Sequence, residues 1–246
     1  MPIFWLALLI FILLTSVIYF TLFYSKFQVI KIEISGNGKV KSENIENTVW
    51  VALERKIFSA GLVNISSKSI FIIDKKKLTK DILNEFPGIQ EVLVQKKMPD
   101  GLTLKITERQ PFAVFCQNDN CFFIDENGVI FEPLENLPKD MVVLHKESVE
   151  TNDLGKNIIN KNIMDVIYKV QKNLKDNFQI GVKEVFVSEL LVFKTSENWQ
   201  IYFDPNSDIQ LHITKMNILL KDEIPANTRK NIQYIYLQYK DRAYYK

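Results

Sequence analysis

The stretch LTLKITERQPFAVF, Leu102 to Phe115, holds two strands of different character on either side of a proline. In LTLKITER apolar and polar residues alternate, so Leu102, Leu104 and Ile106 share one face of a half-buried strand. After the proline, FAVF resumes as a second, more apolar strand. Pro111 stands at the start of the second strand, where a missing ladder donor costs least. The change of texture across Pro111 predicts a seam between two domains.

Upstream, IQEVLVQKK and the turn MPDG complete a hairpin in which Val92 and Val94 match Leu102, Leu104 and Ile106. Before it, KSENIENTVWVALERK places Ile45, Val49, Ala52 and Leu53 on one helical face, with Ser42 as N-cap. SIFIIDKKKLTKDILNEFPG gives a short apolar stretch. A helix follows, capped by Asp74, with Leu78, Ile82, Leu83 and Phe86 inward and a stop at Pro87-Gly88. FQVIKIEISGNG alternates through Ile30, Ile32 and Ile34 and closes on a Gly-Asn-Gly turn. The order over 27–109 is strand, helix, helix, strand, strand, a two-layer unit with one core.

Downstream, PFAVFCQNDNCFFIDENGVIFEPL reads as short aromatic-rich strands, with Asn127-Gly128 as a hairpin signal. NIINKNIMDVIYKVQKNL puts Ile159, Ile163, Val166, Ile167, Val170 and Leu174 on a helical stripe. Two or three strands follow in GVKEVFVSELLVFKTSENWQIYFD, then a helix with Ile209, Ile213, Met216 and Leu220 inward, then IQYIYLQY as a last strand. The fold class is α+β: an apolar N-terminal segment over 1–26, a βααββ domain over 27–109, and a β-rich α+β domain over 110–246.

No charged side chain occurs from Ile3 to Ser25. As a helix that segment is about 34 Å long, enough to cross a bilayer core with some tilt. Trp5, Tyr19 and Tyr24 lie towards its ends as interfacial aromatics do. A cleavable signal peptide is the competing reading. It asks for a basic n-region, a shorter apolar core and a small-x-small site, none of which is clear. Lys26 and Lys31 after the span lean against an external C-terminal part, yet long domains cross regardless of such charges. Sidedness stays open on charge alone.

The 246 residues carry 31 Lys and Arg against 29 Asp and Glu, interspersed, which speaks against a nucleic-acid surface. The densest basic run, Lys75 to Lys77, reads as a solvated helix start. Cys116 and Cys121 flank QNDN. In a hairpin with a four-residue loop they share a face at a separation a disulfide tolerates, and two reduced, small apolar residues are the equal alternative.

Catalysis finds little support. His145 and His212 lack nucleophile or ligand spacing, Glu108 beside Arg109 reads as solvated or salt-bridging residues at a domain boundary, and no Gly-rich phosphate loop, nucleophile elbow or metal spacing appears. The expectation is a chain with no catalytic residue, metal or cofactor. Binding has more support in the last strand. Ile232, Tyr234 and Tyr236 fall on one face and Ile235, Leu237 and Tyr239 on the other. Either this is a central strand covered on both faces, or a terminal strand whose free border and exposed rings accept a partner strand.

In order, VIKIEISGN, SIFIID, PGIQEVLVQKKMPDGLTLKITERQPFAVF, FFIDENGVIF and YIYLQYKDRAYYK resemble the FtsQ/DivIB family of bacterial division proteins. The family's seam, Pro-x-x-Leu-x-Ile-x-Val-x-Glu-Arg-x-Pro-x-Ala, is matched at Pro99, Leu102, Leu104, Ile106, Glu108, Arg109, Pro111 and Ala113. The chain departs from it with Tyr236-Leu237-Gln238 in place of a final Asp-Leu-Arg, a very short cytoplasmic end, and cysteines outside the pattern.

The resemblance implies an FtsQ-type POTRA domain over 27–109 and a non-enzymatic, single-pass scaffold of the cytoplasmic (inner) membrane. Residues 3–25 would sit in the lipid bilayer, with the C-terminal part outside at the division septum. It implies partners of the FtsB/DivIC and FtsL kinds, through which septal wall synthesis is regulated. Carried over by position, partner contacts fall on Tyr234, Tyr236, Tyr239, Arg242 and Tyr244, and a recruitment surface on Glu108, Arg109 and Pro111. The rival reading is a POTRA-bearing transport or chaperone component of the envelope, which ordinarily carries tandem copies ahead of a barrel. A membrane-tethered wall hydrolase is a third.

Overall fold

The computed structural model describes residues 2–60, 63–118, 120–146, 153–239 and 242–246. The chain divides into two compact units, Met1–Arg109 and Gln110–Lys246.

The first unit opens with helix α1 (Pro2–Phe23), whose apolar side chains are largely exposed along its length, as a lipid-facing helix requires. Strand β1 (Lys31–Ser35), helix α2 (Ser42–Leu53), hairpin β2 (Lys56–Ala60) and β3 (Val63–Ser66), helix α3 (Lys75–Glu85), and strands β4 (Ile89–Lys97) and β5 (Gly101–Glu108) follow. The sheet order is β1-β5-β4, with β1 parallel and β4 antiparallel to the central β5. Ile45, Val49 and Leu53 of α2 and Leu78 and Ile82 of α3 close over Val92, Val94, Leu102, Leu104 and Ile106 in one core. Period 3.6 in the helices and period 2 in the strands therefore meet on one side of the sheet.

Three local expectations need correction. Ser42 is the first helical residue rather than the cap; Lys41 holds the N-cap position without a side-chain bond, and Ser42 Oγ pairs instead with Asn37 Nδ2 at 2.9 Å. The hairpin β2–β3 interrupts the predicted run from helix to helix. Ile30 alternates with Ile32 and Ile34 but lies before β1 and is exposed. Asp74 does cap α3, its Oδ1 accepting from the Lys76 and Lys77 amides.

The second unit is built on one long sheet. Its elements are β6 (Ala113–Gln117), β7 (Asn120–Ile124), β8 (Ile130–Leu134), β9 (Val143–Lys146), α4 (Lys161–Phe178), β10 (Val182–Val187), β11 (Leu191–Thr195), β12 (Gln200–Phe203), α5 (Ile209–Ile218), β13 (Tyr234–Tyr236) and β14 (Tyr244–Tyr245). The nine strands run in the order β14-β13-β12-β11-β10-β9-β6-β7-β8. One face packs against α4 and α5: Ile167, Val170 and Leu174 with Ile213 and Met216 meet Phe115, Leu144, Phe193, Ile201 and Ile235.

Cys116 and Cys121 are directly opposed across β6 and β7 and joined as a disulfide. The loop between these strands is two residues rather than four, because Gln117 and Asn120 pair, and its Asp119 lies outside the described residues. In the next turn the Asp125 carboxylate accepts from the amides of Asn127 and Val129, each at 2.9 Å. Gly128 sits at φ +79°, and a Cβ there would collide with the Ile159 carbonyl, so the turn requires glycine.

Candidate interaction surfaces

The last strand does not have a free border. β13 lies between β12, to which it is parallel, and β14, to which it is antiparallel. The chain beyond Tyr239 folds back, and the Lys246 amide donates to Tyr234 O at 3.2 Å. This corrects the expectation of an open β13. β13 is three residues long, and residues 244–246 supply the pairing on its outer side. The link Lys240-Asp241 is outside the described residues.

The open border has moved one strand outward. Backbone groups alternate sides in an antiparallel ladder. With Lys246 and Tyr244 turned to β13, the Tyr245 N–H and C=O point away from it and meet no partner among the described residues.

The rings are not sealed inside. Ile235 and Leu237 are fully buried in the core, whereas Tyr234 and Tyr236 are half-buried on the opposite face and Tyr239, Tyr244 and Tyr245 are exposed. Tyr234 and Tyr236 rings lie 4.8 Å apart, Tyr202 and Tyr236 4.3 Å, and Tyr239 and Tyr244 5.4 Å. Arg242 Nη1 donates to Tyr244 Oη at 3.3 Å, and Lys215 Nζ to Tyr239 O at 2.6 Å. Burial, then the neighbouring Tyr236, pushes the Tyr202 hydroxyl above its ordinary range, so it stays neutral and donates to Gln200 Oε1 at 2.6 Å.

Pairing register extends this patch across the sheet. His145, Phe186, Val192, Tyr202, Tyr236 and Tyr244 are successive cross-strand partners and share the face turned away from α4 and α5. Five strand spacings make the row about 24 Å long. Sequence reasoning missed Tyr202, Phe186 and Tyr245. The available signal was an aromatic or aliphatic residue at the outward positions of VFV, LVF and IYF, where a wetted face would be polar.

At the other candidate surface, Glu108 and Arg109 have internal duties. The Glu108 carboxylate accepts from the amides of Gly38, Lys39 and Val40 at 2.8–2.9 Å, binding the end of β5 to the turn after β1. Burial alone would raise its pKa; the three amides, with the Lys39 charge, outweigh that and hold it below the ordinary carboxylate range. The resulting stabilisation is complete above the unfolded-state value and is lost as pH falls through the lowered folded one. Arg109 donates from its backbone N–H to Gly88 O and from Nε to Pro87 O.

The two histidines have structural settings. His145 stacks on Phe186 at 4.8 Å. His212 is 1% exposed with Ser207 Oγ beside its Nε2, and no substrate can reach a ring so enclosed. Burial, then Lys215, holds its pKa down against Asp204 and Asp208.

Known proteins place the chain. The FtsQ-type POTRA domain family matches residues 60–109. The cell division protein DivIB of Clostridium tetani is 23% identical over 224 residues, covering 89% of this chain and 74% of that protein. The chain is similar to the FtsQ/DivIB cell division proteins. DivIB of Clostridium acetobutylicum is 25% identical over 171 residues, 68% of this chain and 63% of its own length. FtsQ of Novosphingobium aromaticivorans is 33% identical over 92 residues, 37% of this chain and 28% of that one. These similarities support a role in bacterial division among other division proteins, and α1, 22 uncharged and mostly apolar residues, is long and apolar enough to cross a membrane.

Proposed function

We propose that the chain is a non-enzymatic, bitopic division scaffold. In this reading its second unit stands outside the cytoplasmic membrane at the septum. There it receives small membrane-anchored proteins of the FtsB/DivIC and FtsL kinds and connects them to septal wall synthesis. The observation that carries the proposal is the β14 end of the sheet: an unpaired backbone border at Tyr245 beside a platform of rings. Main-chain bonds to an added strand supply affinity, and the pockets between Tyr234, Tyr236, Tyr239 and Tyr244 supply selectivity. Clustered tyrosines with an arginine at one spot are the composition of an interface hot spot. Glu108 and Arg109 are occupied within their own unit, so we place no partner contact on them.

The test is binding of the full chain, in detergent or nanodiscs, to the DivIC-type and FtsL-type proteins of the same organism. Removing 242–246 is expected to weaken binding about 100-fold, the loss of two or three backbone bonds and the Tyr244 contact. Unchanged affinity, with Tyr234→Ala and Tyr236→Ala also silent, overturns the surface. Increased affinity overturns the placement on β14 and moves the partner strand onto β13 in its stead.

A further inference from the structure

The carbonyls that end α1 are taken up by the domain that follows. Thr21 O accepts from Ser69 Oγ at 2.5 Å, and Leu22 O from Gln28 Nε2 at 2.8 Å and from Ser67 Oγ. The Gln28 amide is itself held by the Lys68 N–H at 3.0 Å. A helix end leaves four carbonyls without intrahelical donors, and here side chains of the first unit supply donors to two of them, Thr21 O and Leu22 O. The anchor thus enters the domain through a hydrogen-bonded joint, which sets the height of nearby residues above the end of α1.

A path of rings crosses the same joint. Phe20, Tyr24, Phe27 and Phe71 follow one another at 5.8, 5.6 and 5.0 Å. Phe71 belongs to the turn before α3, where it is 48% exposed and Ile72 38%, although Ile70 beside them is fully buried. Two more exposed apolar side chains, Ile30 and Met98, lie at this end of the sheet, since Ile30 N–H donates to Asp100 O where β5 is about to begin. Lysines stand close by: Lys26 precedes Phe27, the Lys31 N–H donates to Asp100 O, Lys75 opens α3, and Lys96 Nζ donates to Phe71 O at 3.3 Å. Of the acids nearby, Glu33 is bound by Lys97 and Glu54 by Lys68, each at 2.8 Å, and Asp74 caps α3, while Asp100 lies in the turn before β5. The excess charge at this end is positive.

We propose that this end of the first unit is a membrane-contact surface. Phe71 and Ile72 enter the boundary between headgroups and acyl chains beside α1, and the lysines bind phosphates of anionic phospholipid in that leaflet. Apolar side chains ringed by lysines are what an interface-seeking surface presents, and the aromatic path makes it continuous with the anchor. The consequence is orientation: two points of attachment hold the POTRA-type unit at a fixed tilt. The proposal rests on α1 remaining in the bilayer, not on the partner surface of the second unit.

The test uses the full chain reconstituted in phosphatidylcholine–phosphatidylglycerol vesicles, non-reduced so that the native cysteines do not label. A fluorophore is attached at Ile72→Cys or at Glu43→Cys. Glu43 lies in the first turn of α2 near the far end of β5, which eight residues of strand put about 25 Å away. Nitroxide-labelled lipid is expected to quench Ile72 at least 5-fold more than Glu43, and aqueous iodide the reverse. Lys75→Glu with Lys96→Glu is expected to reduce the Ile72 signal in anionic vesicles and leave it unchanged in pure phosphatidylcholine. Equal lipid quenching at both positions, with α1 resistant to carbonate extraction, overturns the surface. Extractable α1 would instead overturn the anchor. A charge-reversed pair that behaves alike in both vesicles overturns the headgroup contact.

Discussion

The nine-stranded sheet is finished on one side and left open on the other. On the β8 side the Ile130 N–H donates to Lys156 O and its carbonyl accepts from the Gly155 N–H at 2.7 Å, so the following chain covers the outer border. The same strand carries Glu132 and Pro133, with Glu135 just beyond, residues that discourage a further strand. On the β14 side the last strand is two residues long, with Tyr245 facing outward and rings exposed. Basic residues flank it, Arg242 and Lys246. Two copies meeting there would oppose like charges, whereas an acidic or neutral strand would not. Among the described residues the contrast between the two borders is what makes the β14 side the candidate for docking.

The largest effect is expected where the guarded border is built. Gly128→Ala places a Cβ on the Ile159 carbonyl in a left-handed conformation, and Gly128 O also receives the Ile158 N–H at 2.8 Å. The conformation alone costs about 1–2 kcal/mol and the collision adds to it, so we expect about 3 kcal/mol lost in denaturant unfolding. Chain 155–159 should also lift from β8, so that light scattering reports self-association the parent lacks. A variant as stable and as monodisperse as the parent would show that this turn does not hold the cover.

Much of this was legible in the sequence and some was not, for physical reasons. The alternation of LTLKITER and the stripe through Leu78 and Ile82 report burial on one face, and burial is a local pattern. The hairpin β2–β3 escaped because its strands are only five and four residues long and fall between the two helical stripes, where no period extends far enough to be read. The terminal fold-back escaped for a different reason: whether Tyr244 meets Tyr236 depends on the reach of the chain between them, not on any periodicity. The row from His145 to Tyr244 is joined by register across strands distant in sequence, and a one-residue slip would scatter it. Cys116 and Cys121 sat between two readings until pairing of Gln117 with Asn120 put them opposite each other.

That disulfide belongs to the guarded side, tying β6 to β7 next to β8. Closing so short a loop stabilises by about 2 kcal/mol on the chain-entropy account. Cys116→Ser with Cys121→Ser should lower the denaturant midpoint accordingly while leaving partner affinity at β14 unaltered. Loss of partner affinity in a folded variant would mean that the two borders are coupled through the sheet, and the contrast between them would no longer be one of independent ends.

The smallest effect bears most directly on the open side. Tyr245→Pro removes the one outward N–H of β14 and keeps Tyr244 and Lys246, whose bonds to β13 hold the fold-back in place. Proline is tolerated on an edge strand where its nitrogen faces solvent, so thermal stability should not change. An added strand, however, loses one backbone bond, and affinity for the DivIC-type partner should fall about 10-fold, the net worth of one such bond. Tyr245→Ala retains the N–H and serves as the control, because it removes a ring and no donor. If proline and alanine weaken binding equally, the partner reads side chains and no strand is added. If only proline does, the border itself is the docking element.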